Sequence, residues 1–271
     1  MLRSQFREGL EFQSKGHLQI PIQDWGALSF LLLLLIIHGR TRSVPRKVTV
    51  RTLTDIAVLV DYYECYEVVG VYSDMWIDGL QGRLPTWLCQ DAWSWLFISW
   101  VFHKGDIFQK ITEVIQYNCS GFFDTRGLPI PPPIIEALDK RRIAYIATIL
   151  AAIDDLFDGF IDGRVGCINP SSKNSACAHT ALGALTQRLV QMKLLMPKPE
   201  SPYIGIAINT LLSDCRSRIT SPVVHDRGPY SSRPEYCTLE KRIPSILDSL
   251  KGPCGLHIDG DETYNFKACR K

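Results

Sequence analysis

Thirteen consecutive residues without a charged side chain, Trp25 to Ile37, include the run Phe30-Leu31-Leu32-Leu33-Leu34-Leu35-Ile36-Ile37, and they force a choice between membrane and core. A spanning helix needs about 20 predominantly apolar residues to cross a hydrocarbon layer roughly 30 Å thick. Asp24 closes the run on one side, and His38 and Arg40 close it on the other. At about 1.5 Å of rise per residue the run reaches only roughly 20 Å. A secretory signal fits no better, because it needs a basic leader and a small-residue cleavage site; here Glu8, Glu11 and Asp24 precede the run and His38-Gly39-Arg40 follows it. The expectation is a helix apolar on every side, buried in a core and covered on both flanks. The alternative is a membrane anchor at residues 25–37.

Coverage on that scale requires a real core, and 271 residues can supply one. Hydrophobic residues at 46% and charged residues at 21% exclude wholesale disorder. A net charge of +2 offers no global attraction for nucleic acid, so no nucleic-acid partner is expected. The nine cysteines, Cys65, Cys89, Cys119, Cys167, Cys177, Cys215, Cys237, Cys254 and Cys269, are odd in number and irregular in spacing. That pattern reads as free thiols in a reducing compartment, cytoplasm or nucleus. No two cysteines have the close spacing of a zinc site; Cys215, His225 and Cys237 are the one set that could meet in space.

Along the chain, His17 to Ile22 alternates with Leu18, Ile20 and Ile22 on one face, which predicts a short strand, placed at an edge by Pro21. After the apolar helix, Arg40, Arg42, Arg46, Lys47 and Arg51 form a basic stretch. It reads as a solvated connection, with a nuclear localisation patch as the other meaning. Two helices are expected between Thr52 and Leu80. Trp87, Trp93, Trp95, Phe97, Trp100 and Phe102 then crowd a stretch whose one charge is Asp91. A base-stacking platform needs interleaved cations, so this is expected to be a buried or interface helix. The stiff Leu128-Pro129-Ile130-Pro131-Pro132-Pro133 leads into the clearest amphipathic helix, Ile134 to about Ile161. Another helix is expected from Ala181 to Met196. From Ser213 onward the chain is polar and proline-punctuated, with one apolar stretch around Ile243 to Leu250.

Within the long helix, Asp154-Asp155-Leu156-Phe157-Asp158 resembles the aspartate-rich signature with which class I terpenoid synthases hold magnesium and a diphosphate. Asp154 and Asp158 repel across one helical turn near the negative end of the macrodipole, and a cation would relieve both costs. The helical wheel opposes that role. Asp154, Asp155, Asp158 and Asp162 fall in one stripe roughly 100° wide, opposite the arc of Ile146, Ile149, Leu150, Ile153, Leu156, Phe157 and Phe160. Carboxylates serving an apolar substrate cavity would face that arc. The partner motif of Asn, Ser and Glu at four-residue spacing is missing, since Asn174 is followed by Ala178 and Leu182. Asp154, Asp155 and Asp158 are therefore weak metal candidates. No catalytic residue and no cofactor is expected.

Read together, the first eighty residues resemble the second half of a BTB/POZ domain of the type common in filamentous fungi. The resemblance is carried by Met1-Leu2, Phe6-Arg7-Glu8-Gly9, Leu18-Gln19-Ile20-Pro21, Phe30 to Ile37 with His38-Gly39-Arg40, and Leu53 to Cys65. Met75-Trp76-Ile77-Asp78, Gly127-Leu128-Pro129-Ile130-Pro131 and Leu182-Gly183-Ala184-Leu185-Thr186 are similar to the helical extension of such proteins. The resemblance implies a mainly α chain with an α+β N-terminus. It divides into a partial BTB/POZ domain at 1–82, a helical extension at 83–212 and an irregular, partly ordered tail at 213–271. It also implies a truncated domain, lacking the elements that precede Met1-Leu2 in the family, which puts BTB-type dimerisation in doubt. The implied function is non-enzymatic protein–protein interaction. In cullin-based ubiquitin ligase adaptors a hydrophobic residue, any residue and Glu lie in the loop before the strand and contact the cullin. Phe6-Arg7-Glu8 has that form, so Phe6 and Glu8 are the partner-binding candidates and a cullin is the candidate partner.

Overall fold

A computed structural model describes residues 7–17, 25–166, 176–220 and 239–258. The chain is mainly helical, and among the described residues there is no strand. Residues 18–22 of the expected edge strand lie outside the described residues.

The helices are α1 (Arg7–Lys15), α2 (Ala27–Ile37), α3 (Val50–Tyr63), α4 (Tyr66–Leu80), α5 (Gln90–Val101), α6 (Gly105–Asn118), α7 (Pro132–Ile161), α8 (Ala176–Gln191), α9 (Ile208–Arg218) and α10 (Leu239–Ser249). Each end has a local cause. Thr49 caps α3 by accepting a hydrogen bond from the Thr52 amide at 3.1 Å, satisfying one of the donors a helix start leaves open. Glu64, in the left-handed region at φ 53°, ends α3 and lets α4 begin two residues later. α7 opens on Pro132 and Pro133, whose missing amide hydrogens cost nothing in a first turn.

Two apolar clusters organise the packing. The first joins α2 through α6 to the start of α7, with Leu33, Leu53, Ile56, Trp76, Trp95, Phe97, Phe108, Ile111 and Leu138 wholly or almost wholly buried. At its centre lies α5, buried without a break from Ala92 to Ser99 and packed between α3 and α6. From Trp93 to Trp100 the aromatic stretch is thus a core helix, as its lack of charge predicts, whereas Trp87 lies ahead of α5 and is 64% exposed. The second cluster joins the rest of α7, from Tyr145 to Phe160, to α8, α9 and α10. α7 belongs to both. At 30 residues it is about 45 Å long, and its apolar stripe serves both clusters, interrupted between them by the buried Arg142. The first cluster also runs straight across residues 82 and 83, the expected division between domain and extension.

α2 departs from expectation. Ser29, Leu32, Leu33 and Ile36 face inward against α3 and α4, but Leu28 is 61% and Leu31 51% exposed. The described helices cover one side of α2 only, so its opposite leucines stand open. Among the described residues the helix enclosed on every side is α5, over Ala92 to Ser99. No helix among the described residues is long and apolar enough to cross a membrane, and α2, at 11 residues, spans about 16 Å.

Candidate interaction surface

The open side of α2 is a ridge with three chemically distinct parts. Leu28 and Leu31 stand outward at its middle, flanked by the half-buried Leu34 and Leu35. At the N-terminal end, α3 delivers Tyr62 and Tyr63 to the side of Trp25. The Trp25 and Tyr62 rings meet edge-on at 5.2 Å, Tyr62 and Tyr63 at 4.9 Å, and Tyr63 reaches Phe30 at 6.3 Å. Tyr62 nevertheless remains 67% exposed. Such a group combines a rigid apolar body with a polar edge, the composition favoured where one protein anchors on another. Beside it Asp61 accepts a hydrogen bond from the Tyr66 hydroxyl at 3.4 Å. Partial burial, the largest influence, raises the carboxyl above its usual value against the lowering effect of that hydrogen bond.

The C-terminal end of the ridge is basic. Arg40, Arg42, Arg46 and Lys47 follow α2, and Arg51 lies in the first turn of α3; all five are exposed, and none forms an ion pair among the described residues. The connection carrying them is fastened to the core. Val44 is buried, and the Trp76 indole donates to the Pro45 carbonyl at 2.8 Å. The cations therefore stand on an anchored backbone, in solvent as expected of a connection between helices.

Elsewhere the predicted site residues are dispersed. Asp154 pairs with Lys198 at 2.6 Å, and that hydrogen bond raises the lysine above its ordinary value. Asp155 pairs with Arg164 at 3.1 Å, and Arg164 also binds Asp162 at 2.6 Å, holding that carboxyl below its ordinary value. Asp158 is exposed, while Ile153, Leu156 and Phe160 are buried on the opposite side of α7. The aspartates thus face away from the apolar arc, as the wheel requires. Asp155 borders an open groove of about 540 Å³ between α7 and α10, in which Lys241 and Arg242 also stand; those two cations disfavour a divalent metal there. Among the described residues no group of three or more His, Cys, Asp or Glu side chains is arranged to hold one. Cys215 is buried in the second cluster, and His225 and Cys237 lie outside the described residues.

Phe6 also lies outside the described residues. Arg7 and Glu8 form the first turn of α1, a helix at the point where the resemblance implies a loop.

Sequence reasoning missed the exposure of the α2 ridge, and the residues carry little signal for it, since inward and outward leucines are the same amino acid. It also missed Arg142, which is wholly buried between the two clusters. There the signal existed: Leu138, Arg142, Tyr145 and Ile149 occupy one face at helical spacing, so a charge interrupts the apolar stripe.

No protein-family model, curated protein or solved structure matches the chain.

Proposed function

We propose that this chain is a non-enzymatic protein–protein interaction module of BTB/POZ type, which engages its partner through the outer side of α2. The observation that carries the reading is the leucine ridge itself, open to solvent between an aromatic end and a basic end. An exposed apolar patch with polar borders marks a contact site on a folded protein. The rigid aromatic group supplies anchors at small entropic cost, and five exposed cations at the other end, without an ion pair among the described residues, select a partner that is apolar in the middle and acidic on one flank. The sequence resemblance supplies the BTB/POZ part of the reading.

A photo-crosslinking residue placed at Leu31 in cells, with a second at the exposed Gln187 as control, tests the reading. The expected result is a discrete protein adduct from position 31 that is absent from position 187. It should disappear on Leu28→Glu, with the circular dichroism of the purified protein unchanged. Adducts with lipid alone, or the same adducts from both positions, would overturn it. Magnesium-dependent turnover of a prenyl diphosphate that is lost on Asp154→Ala would equally end the non-enzymatic reading.

A further inference from the structure

After α10 the chain continues through Lys251–Ile258 without helix or strand and lies against α6 and α7. Side chains of the two helices hold its backbone. The Leu256 amide donates to the Thr112 hydroxyl at 2.8 Å. Gln116 Nε2 donates to the Cys254 carbonyl at 3.4 Å, and Arg141 Nη1 donates to the carbonyls of Cys254 and Gly255, each at 3.3 Å. Leu256 is wholly buried in the first cluster, and Ile258 packs against the same cluster, partly buried.

Two glycines make the approach possible. A Cβ at Gly255 would collide with the Gln109 carbonyl of α6, and one at Gly252 with the Tyr117 hydroxyl. The contact therefore demands glycine at 255, where it meets backbone, with leucine next, and favours glycine at 252, where a larger residue would have to push the Tyr117 hydroxyl aside. These are the elements of extended-peptide recognition, in which backbone hydrogen bonds supply affinity while a pocket and close-approach positions supply selectivity. The wall has capacity to spare. Gln116 is wholly buried, and its Oε1 has no hydrogen-bond partner, an acceptor that the resident segment leaves unused.

We propose that the α6–α7 groove is a receptor site for an extended Gly-x-x-Gly-Leu peptide, occupied here by the chain's own residues 252–256 as a displaceable strap. The site is separate from the α2 ridge. A segment of the same pattern on another protein competes with a tethered occupant whose local concentration is on the order of millimolar, so the groove opens to an outside peptide when the strap is weakened.

The test titrates a fluorescent peptide corresponding to residues 250–258, in reducing buffer, against the full-length protein. Gly255→Val, which cannot seat its own strap, is expected to bind the peptide saturably, with the wild-type protein weaker by about tenfold or more because its strap competes at millimolar effective concentration. Adding Thr112→Val to that variant should weaken binding severalfold, and a peptide carrying the same Gly255→Val change should not bind. A cooperatively folded Gly255→Val protein that ignores the peptide overturns the proposal, as does equal binding of both peptides. Should Gly255→Val lose cooperative unfolding, Leu256→Ala enters the same titration, and no binding there overturns it.

Discussion

Arg142 carries the highest electrostatic stakes of any residue in the described structure. Its side chain is 0% exposed. Nε donates to Asp139 at 2.9 Å, Nη2 to the Pro202 carbonyl at 2.7 Å, and Nη1 to the carbonyls of Tyr203 and Ile206 at 3.2 and 3.1 Å. A planar guanidinium can satisfy four acceptors at once, and an ammonium cannot. Arg142→Met is expected to lower unfolding free energy by about 2–4 kcal/mol, chiefly because it strands the carbonyls that the buried guanidinium satisfies and also removes its ion pair to the half-buried Asp139. Arg142→Lys should recover less than half of that loss. Urea denaturation, with unchanged slopes, checks both. A second prediction concerns alkali. Burial first, with Asp214 adding, pushes the Cys215 thiol from 9.0 up to about 12. Burial first, with Tyr145, Glu113 and Cys254 adding, pushes the Tyr117 hydroxyl from 10.0 up to about 12. Both groups ionise more readily unfolded, so their contribution is complete below pH 9 and is lost as pH rises toward 12. The loss should be on the order of 4 kcal/mol for Cys215 at full shift, at about 1.4 kcal/mol per pH unit, and smaller for Tyr117, whose part-buried hydroxyl is screened by solvent. Thermal melts from pH 8 to 11 should show the decline, with Cys215→Ala removing its onset near pH 9 and leaving the later fall due to Tyr117.

Among the elements, α2 makes the sharpest contrast. Leu33→Ala, on its inner side, is expected to cost about 2–5 kcal/mol as a core truncation. Leu31→Ala, two residues earlier and facing out, should shift stability by less than about 0.5 kcal/mol. Chemical denaturation of the pair distinguishes a one-sided helix from an enclosed one, for which both would be costly. Which helices exist was largely readable in advance: α3, α4 and α7 have long apolar stripes at helical spacing, and α5 has an aromatic density that only a core explains. Four helices were not: α1 and α10 fall where a loop and an irregular tail were expected, and α6 and α9 went unread. α6 presents Ile107, Phe108, Ile111 and Ile115 on one face, but Asp106, Lys110 and Glu113 break up the apolar run between them. α9 has four buried positions, Ile208, Leu211, Leu212 and Cys215, within a polar stretch; read as a thiol, Cys215 suggests a ligand, whereas it packs as a small apolar group. The ridge was unreadable for a different reason. Burial depends on the neighbours supplied by the fold, and a leucine run encodes only the need for some.

At the scale of the whole molecule, two clusters share one helix and are further tied by hydrogen bonds between the chain ends of α6 and α9. The Gly205 amide donates to the Ser120 carbonyl at 2.8 Å, and Asn209 donates to the Asn118 side chain at 3.0 Å. All six tryptophans, Trp25, Trp76, Trp87, Trp93, Trp95 and Trp100, precede α6, so their fluorescence reports the first cluster alone. Leu185→Ala, deep in the second cluster, is expected to remove about 2–5 kcal/mol. If the clusters unfold together, tryptophan fluorescence and circular dichroism shift to the same lower denaturant midpoint; separate units would leave the fluorescence midpoint where it was. For anyone cutting the gene into pieces, the shared helix leaves no harmless place to stop between residues 82 and 161. A fragment ending at 82 loses α5 from beside α3, and one ending inside α7 separates the two apolar clusters that share this helix, leaving each without part of its cover.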